Sequence, residues 1–163
     1  MFAVKQEESD DWWEVEALYD LCFAPGREAL SSYRLRDGVE AVAPLCLVAR
    51  DAQDILAGAI RVWPVRVGPE DAPALLVGPI AVHPTRQGEG LGGLLIREVL
   101  QRAGDAGWDR AMLVGDLPYY SRFGFDRLGG VDMPNPTNPD RVLGHALSDG
   151  AWDGMAGPVR RDA

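Results

Sequence analysis

The chain has 163 residues, 47% hydrophobic and 25% charged, with a formal net charge of -9. This length suits one domain, residues 1–163, with a real core; the charge argues against nucleic-acid binding, and no apolar run approaches the roughly 18 residues of a membrane span. Cys22 and Cys46 form no disulfide framework, and Met1 to Asp10 lacks a signal-peptide core, so a cytoplasmic protein is expected.

Phe2 to Glu7 is predicted as a first strand, with Ser9 and Asp10 capping the helix that follows. Trp13, Val15, Ala17, Leu18, Leu21 and Cys22 give that helix its apolar surface, and Pro25-Gly26 stops it. A second helix is expected over Arg27–Leu35, closed by Asp37-Gly38. Strands follow at Leu45–Ala49, Ile55–Val67 and Leu75–Val82. The last two are joined by Gly68–Pro73, too short for a crossover, so they form an antiparallel hairpin. Pro84 ends the fourth strand because proline cannot donate to a ladder.

Gln87-Gly88-Glu89-Gly90-Leu91-Gly92 comes next and leads directly into a helical pattern. Ile96, Val99, Leu100 and Ala103 recur on one face, while Arg97, Glu98, Gln101 and Arg102 fall on the other. After a turn at Gly104–Gly107, Ala111–Val114 is a fifth strand, parallel to the fourth because a helical crossover joins them. A brief helix runs from Pro118 to Gly124. Strands are expected at Val131–Pro134 and Arg141–Leu147, and a loosely ordered tail over 148–163. The fold class is α/β: a mixed central sheet of about six to seven strands flanked by helices.

Glycines let a backbone approach a ligand closely, and the first N–H groups of a helix have no internal partner. A glycine-rich turn running into a helix start is therefore a phosphate site. No Gly-Lys-Ser/Thr follows, so this is not a nucleoside triphosphate loop, and the spacing of Gly88, Gly90 and Gly92 does not fit a dinucleotide fingerprint. The turn instead resembles the pyrophosphate loop of the GNAT N-acetyltransferases, Gln/Arg-x-x-Gly-x-Gly/Ala. Gln87, Gly90 and Gly92 occupy its fixed places behind Val82-His83-Pro84. Tyr120-Ser121-Arg122-Phe123-Gly124-Phe125 is similar to a second GNAT signature, in a form like that of the YhbS-type subgroup. The order of elements resembles the GNAT fold over nearly the whole chain.

The resemblance implies acetyl transfer from acetyl-CoA, as cosubstrate, to a primary amine by direct attack in a ternary complex. The loop residues Arg86, Gln87, Gly88, Glu89, Gly90, Leu91 and Gly92 would face the coenzyme diphosphate, and the backbone of Ile80, Ala81 and Val82 its pantetheine arm. An N–H near Ala81 or Val82 would meet the oxyanion. Tyr120 would protonate the departing thiolate, with Tyr119 as the fallback. Asp116 is the candidate base and equally a helix N-cap; His83 or a water relay are the other bases considered. Arg86 and Arg97 either neutralise phosphate or stand as solvated charges, and Glu89 fits the loop only if its side chain turns outward. Cys22 and Cys46 lack partners for nucleophilic catalysis, and no cluster has metal-ligand spacing. Two other readings stay open: a non-catalytic acyl-CoA-binding or regulatory domain, and an acyltransferase with another acyl-CoA donor. The partners expected are acetyl-CoA, an amine and a second copy of the chain as a homodimer, without nucleic acid or membrane.

Overall fold

Residues 1–23 and 31–162 are described by the structure, a computed structural model. The strands are β1 (Ala3–Gln6), β2 (Leu47–Arg50), β3 (Leu56–Val67), β4 (Ala72–Val82), β5 (Arg110–Val114), β6 (Asp126–Arg127), β7 (Val131–Asp132), β8 (Val142–Ala146) and β9 (Gly157–Arg161). The helices are α1 (Trp12–Cys22), α2 (Ser31–Arg34), α3 (Leu91–Asp105) and α4 (Leu117–Tyr120). The described strands form one sheet in the order β1-β2-β3-β4-β5-β8-β6, with β9 pairing β3 and β7. β1 to β4 run antiparallel, β4 and β5 parallel, and β5 and β8 antiparallel. This is the α/β architecture with a mixed sheet that the sequence predicts.

Alternation along the strands sends successive side chains to opposite faces. Leu47, Ala49, Ile60 and Val62 pack with Leu91, Leu95, Ile96, Val99 and Ala103 of α3 on one face. Val48, Ala59 and Ala81 pack with Val15, Leu18 and Tyr19 of α1 on the other. Leu95, Ile96 and Val99 are almost wholly buried, each worth about 1.5–3 kcal/mol relative to exposure. These contacts fix where α3 begins, and so where the glycine turn points.

Several expectations change. The start of α1 is held by Asp11, which accepts from the Glu8 N–H at 2.8 Å and from Arg50 Nη2 at 2.7 Å, rather than by Ser9 or Asp10. Asp11 wins because its second oxygen reaches a buried guanidinium on β2, a partner 39 residues away. Ala43–Leu45 is a 3-10 turn, so β2 starts at Leu47. Of the second helix only Ser31–Arg34 is described; its expected first part and the Pro25-Gly26 stop lie outside the described residues. The expected tail contains β9, paired with Val65–Val67 of β3, which buries Val159. Among the described residues no helix is long and apolar enough to cross a membrane.

Two irregularities open the sheet. Between the pairs Ile60↔Ile80 and Val62↔Val77, β4 sets Gly78 and Pro79 against Arg61 alone, a β-bulge. β5 pairs with β4 only at Leu75↔Ala111 and Leu76↔Met112, while its whole length pairs with β8. Past Leu76 the two parallel strands part, and the gap between them is the floor of the site.

Candidate active site

The glycine turn is built by its own backbone. Gly88 and Gly90 have φ of 87° and 76°, in the left-handed region that favours glycine, and Gly90 is the N-cap of α3. The Leu94 N–H bonds to Gly90 O at 3.1 Å. The N–H groups before it, on Leu91, Gly92 and Gly93, therefore have no intrahelical carbonyl. A Cβ on Gly92 would stand 3.1 Å from the Tyr119 hydroxyl, and one on Gly93 3.1 Å from Phe123. Glycine at both positions lets the α4 segment lie against the helix start.

Between that helix start and α4 runs a groove of ≈620 Å³. Ile80, Val82, Arg86, Gln87, Gly88, Gly90, Leu91 and Gly92 line it, with Arg97, Tyr119, Tyr120 and Arg122. Ala81 does not; it is buried against α1. The His83 N–H bonds to Ala57 O at 2.8 Å, and Ala81 pairs with Ala59 in the same sense. In an antiparallel ladder that alternation turns the N–H and C=O of Ile80 and Val82 away from β3, toward the gap left by β5. Val82 O accepts there from Cys22 Sγ at 3.4 Å.

The loop charges sort themselves. The Glu89 side chain turns outward and pairs with Arg86 Nε at 2.8 Å, and that bond holds the Glu89 carboxyl below its ordinary pKa. Arg86 also meets Asp51 at 3.0 Å. Its guanidinium is thus already matched by carboxylates. The arginines on the groove without an ion pair among the described residues are Arg97, stacked on Phe123 at 4.9 Å, and Arg122, stacked on Tyr119 at 4.5 Å. Arg122 goes unnoticed in the sequence, although it sits inside the aromatic signature.

A second cavity, of ≈160 Å³, lies where β4 and β5 part, lined by Tyr33, Arg36, Gly78, Pro79, Leu113 and Val114 among others. Ile80 and Tyr120 line both this cavity and the groove. Tyr120 is therefore at the junction, and Tyr119 faces the groove only. Burial, reinforced by Tyr119, pushes the Tyr120 phenol up to about 12. The ring occupies the space beside Gly115, where an added Cβ would overlap it, with Cδ2 at 2.8 Å.

The candidate bases stand elsewhere. Asp116 is the N-cap of α4 through its backbone, its carbonyl accepting from the Tyr120 N–H at 3.0 Å. Its side chain is exposed and lines neither cavity. His83 Nδ1 accepts from the Thr85 N–H at 3.2 Å, capping the 3-10 turn before the loop. Burial raises the thiols of both Cys22 and Cys46, the opposite of what a nucleophile needs.

A model of the Acetyltransferase (GNAT) family matches residues 12–125. The uncharacterized N-acetyltransferase YhbS of Escherichia coli K12 is 31% identical over 149 residues, spanning 89% of this chain and 87% of that protein. A crystal structure of E. coli YhbS in complex with CoA is 28% identical, with a TM-score of 0.84 over 98% of this chain and 89% of that one. A GNAT family acetyltransferase from Brucella melitensis in complex with acetyl-CoA is also 28% identical, with a TM-score of 0.76 over 100% of this chain and 97% of that one.

Proposed function

The chain belongs to the GNAT acetyltransferase family, and from that premise we propose that it moves the acetyl group of acetyl-CoA to a primary amine within a ternary complex, at the junction formed by Ile80 and Tyr120. The observation that carries this is the shared wall: one tyrosine and one strand residue border both the coenzyme-sized groove and the small cavity. Two relatives of similar fold hold CoA or acetyl-CoA in their crystals.

In this reading the diphosphate meets the free N–H groups at the start of α3, with Arg97 and Arg122 supplying positive charge. The pantetheine arm runs along the outward N–H and C=O groups of Ile80 and Val82. The amine enters through the cavity and attacks the thioester carbonyl. One of those outward N–H groups stabilises the oxyanion. The thiolate leaves beside the Tyr120 hydroxyl. The amine proton departs to water, and an Asp116 base acts through such a water, because its side chain lines neither cavity.

The coenzyme assignment is tested by thermal shift: CoA and acetyl-CoA are expected to raise the melting temperature by mass action, NAD and ATP far less. Equal shifts from all of them would remove it. Longer acyl-CoAs in the same series test the breadth of the donor. Direct transfer is tested separately with the double variant Cys22→Ala, Cys46→Ala. Its turnover is expected to stay within about threefold of wild type once stability is matched. An acetyl group trapped on either sulfur during turnover would establish a covalent route instead.

The reading puts the enzyme in the cytoplasm, supported by Cys22 and Cys46 being free. The homodimer expected from the sequence is read by light scattering: twice 17.7 kDa supports it, and 17.7 kDa removes it.

A further inference from the structure

Arg36 borders the small cavity, hydrogen-bonded to Tyr33 but with part of its guanidinium unpartnered. Its Nε is buried and has no hydrogen-bond partner. Nη2 donates to Gly78 O over a long 3.3 Å. The planar head lies 3.7 Å from the Tyr33 ring centre and 5.3 Å from that of Trp63, a stacked setting that fixes its orientation. Among the described residues no carboxylate lies within salt-bridge distance of it. Arg50, Arg61, Arg66 and Arg86 each have one. The contrast matters in a chain with 25 acidic residues against 16 basic ones.

Among the described residues the surroundings do not supply the missing charge. The described lining of the cavity includes Ser32, Tyr33, Tyr120 and apolar residues of β4 and β5, and no Asp or Glu. Burial lowers the Arg36 pKa from its ordinary value, while Tyr33, through its charge and a side-chain hydrogen bond, and Tyr19 act to raise it. That is the sign for a desolvated cation, and no described carboxylate lies beside it. Holding such a cation desolvated is costly unless an anion completes it. A guanidinium is a planar fork whose accessible nitrogens hold a carboxylate by charged hydrogen bonds. A cavity of ≈160 Å³ is also small beside the roughly 300–1,000 Å³ of sites for drug-sized ligands.

We propose that the acceptor is a small amino-acid-type zwitterion, its carboxylate seated on the part of the Arg36 guanidinium that borders the cavity and its amine directed to the Ile80–Tyr120 junction. The inference rests on the acetyl-transfer reading and deepens it: the pocket selects by carboxylate, not by a negative surface attracting a cation. An ammonium group near a fixed positive charge also loses its proton more readily, which favours the attacking form.

The test uses the full chain with acetyl-CoA, the twenty free amino acids and the primary amide of each. For accepted pairs, wild type is expected to prefer the acid over its amide by about 10–100-fold in kcat/KM, the worth of a charged hydrogen-bond pair. In Arg36→Gln that ratio is expected to fall toward one, and Arg36→Lys to restore part of it. Melting temperature and the CoA Kd verify that each variant is folded. Equal kcat/KM for acid and amide in wild type overturns the inference and leaves acetyl transfer standing. So does an equal loss on both in Arg36→Gln. If no pair is acetylated, calorimetric titration of the CoA-bound protein with the same acids and amides decides. Binding of acids that Arg36→Gln abolishes upholds the site, and absence of such binding overturns it. Failure to bind CoA at all removes the acetyltransferase reading and this inference with it.

Discussion

Tyr120→Phe is expected to lower kcat by about 100-fold while leaving the CoA Kd nearly unchanged, since it removes one hydroxyl and keeps the ring. The size follows from the environment of the phenol. With a pKa pushed up to about 12 by burial, it is a much weaker acid than a thiol near 8.5, so full transfer to a free thiolate is uphill by about 5 kcal/mol. The hydroxyl contributes instead as a hydrogen-bond donor to the sulfur while charge develops there. A bond to a charged group is worth about 1.5–3 kcal/mol, or roughly 10–100-fold in rate. Tyr120 acts while protonated, so with a pKa of about 12 it imposes no basic limb on the rate below about pH 11. Activity should therefore rise with pH as the acceptor ammonium, with a pKa near 10, loses its proton. Tyr119→Phe is the comparison, since its ring lines only the groove. If Tyr120→Phe keeps wild-type turnover and Tyr119→Phe loses it, the wrong tyrosine has been assigned; if both stay active, no phenol assists the leaving group.

Gly90→Val is expected to raise the CoA Kd by about tenfold or more in a protein that still folds. Nothing of the protein lies within 4 Å of a Cβ added at Gly90, so no internal clash is involved. The difficulty is the backbone: Gly90 has a φ of 76°, which a β-branched residue adopts at a cost above the 1–2 kcal/mol typical of L-residues, roughly tenfold in affinity. The loop would relax to negative φ and turn its N–H groups away from the phosphates. Gly104→Ala serves as the control at the far end of the same helix, also with nothing within 4 Å of the added Cβ and without a positive φ. It is expected to stabilise the fold by about 0.5–1 kcal/mol and to leave CoA binding alone. An unchanged Kd in folded Gly90→Val would detach the loop from the coenzyme.

Both variants act on features legible in the chain itself. Gln87 to Gly92 ahead of an amphipathic run is local: the positive φ of Gly88 and Gly90 and the helix start depend on residues a few positions apart. The same holds for the turn at Gly124, whose φ is 88°, after the aromatic segment. The parallel setting of β5 follows from the length of the helix before it. Folding does not alter such signals, because near neighbours along the chain remain near neighbours in space.

Other features depend on partners distant in sequence, and only the tertiary structure decided them. Arg86 reads as a phosphate ligand or a solvated charge, and only the fold shows its ion pair with Asp51, 35 residues earlier, at 3.0 Å. The end of the chain reads as a tail because Gly157–Arg161 has few apolar residues, yet β3 offers it an edge at Val65–Val67. Leu75–Val82 reads as one continuous strand; Gly78 and Pro79 within it, set against Arg61 on β3, form a bulge beside a gap that β5 leaves by pairing with β8. Nor does anything around Arg36 in the sequence distinguish it from the other arginines. Its unpartnered Nε arises because the fold brings Tyr33, Trp63 and Gly78 to it and no described carboxylate. Backbone shape is set largely by adjacent residues, so the sequence by itself determined the glycine turn and the order of elements. Charge matching is set by whatever packs across the sheet, so which arginines lack a described carboxylate had to wait for the fold.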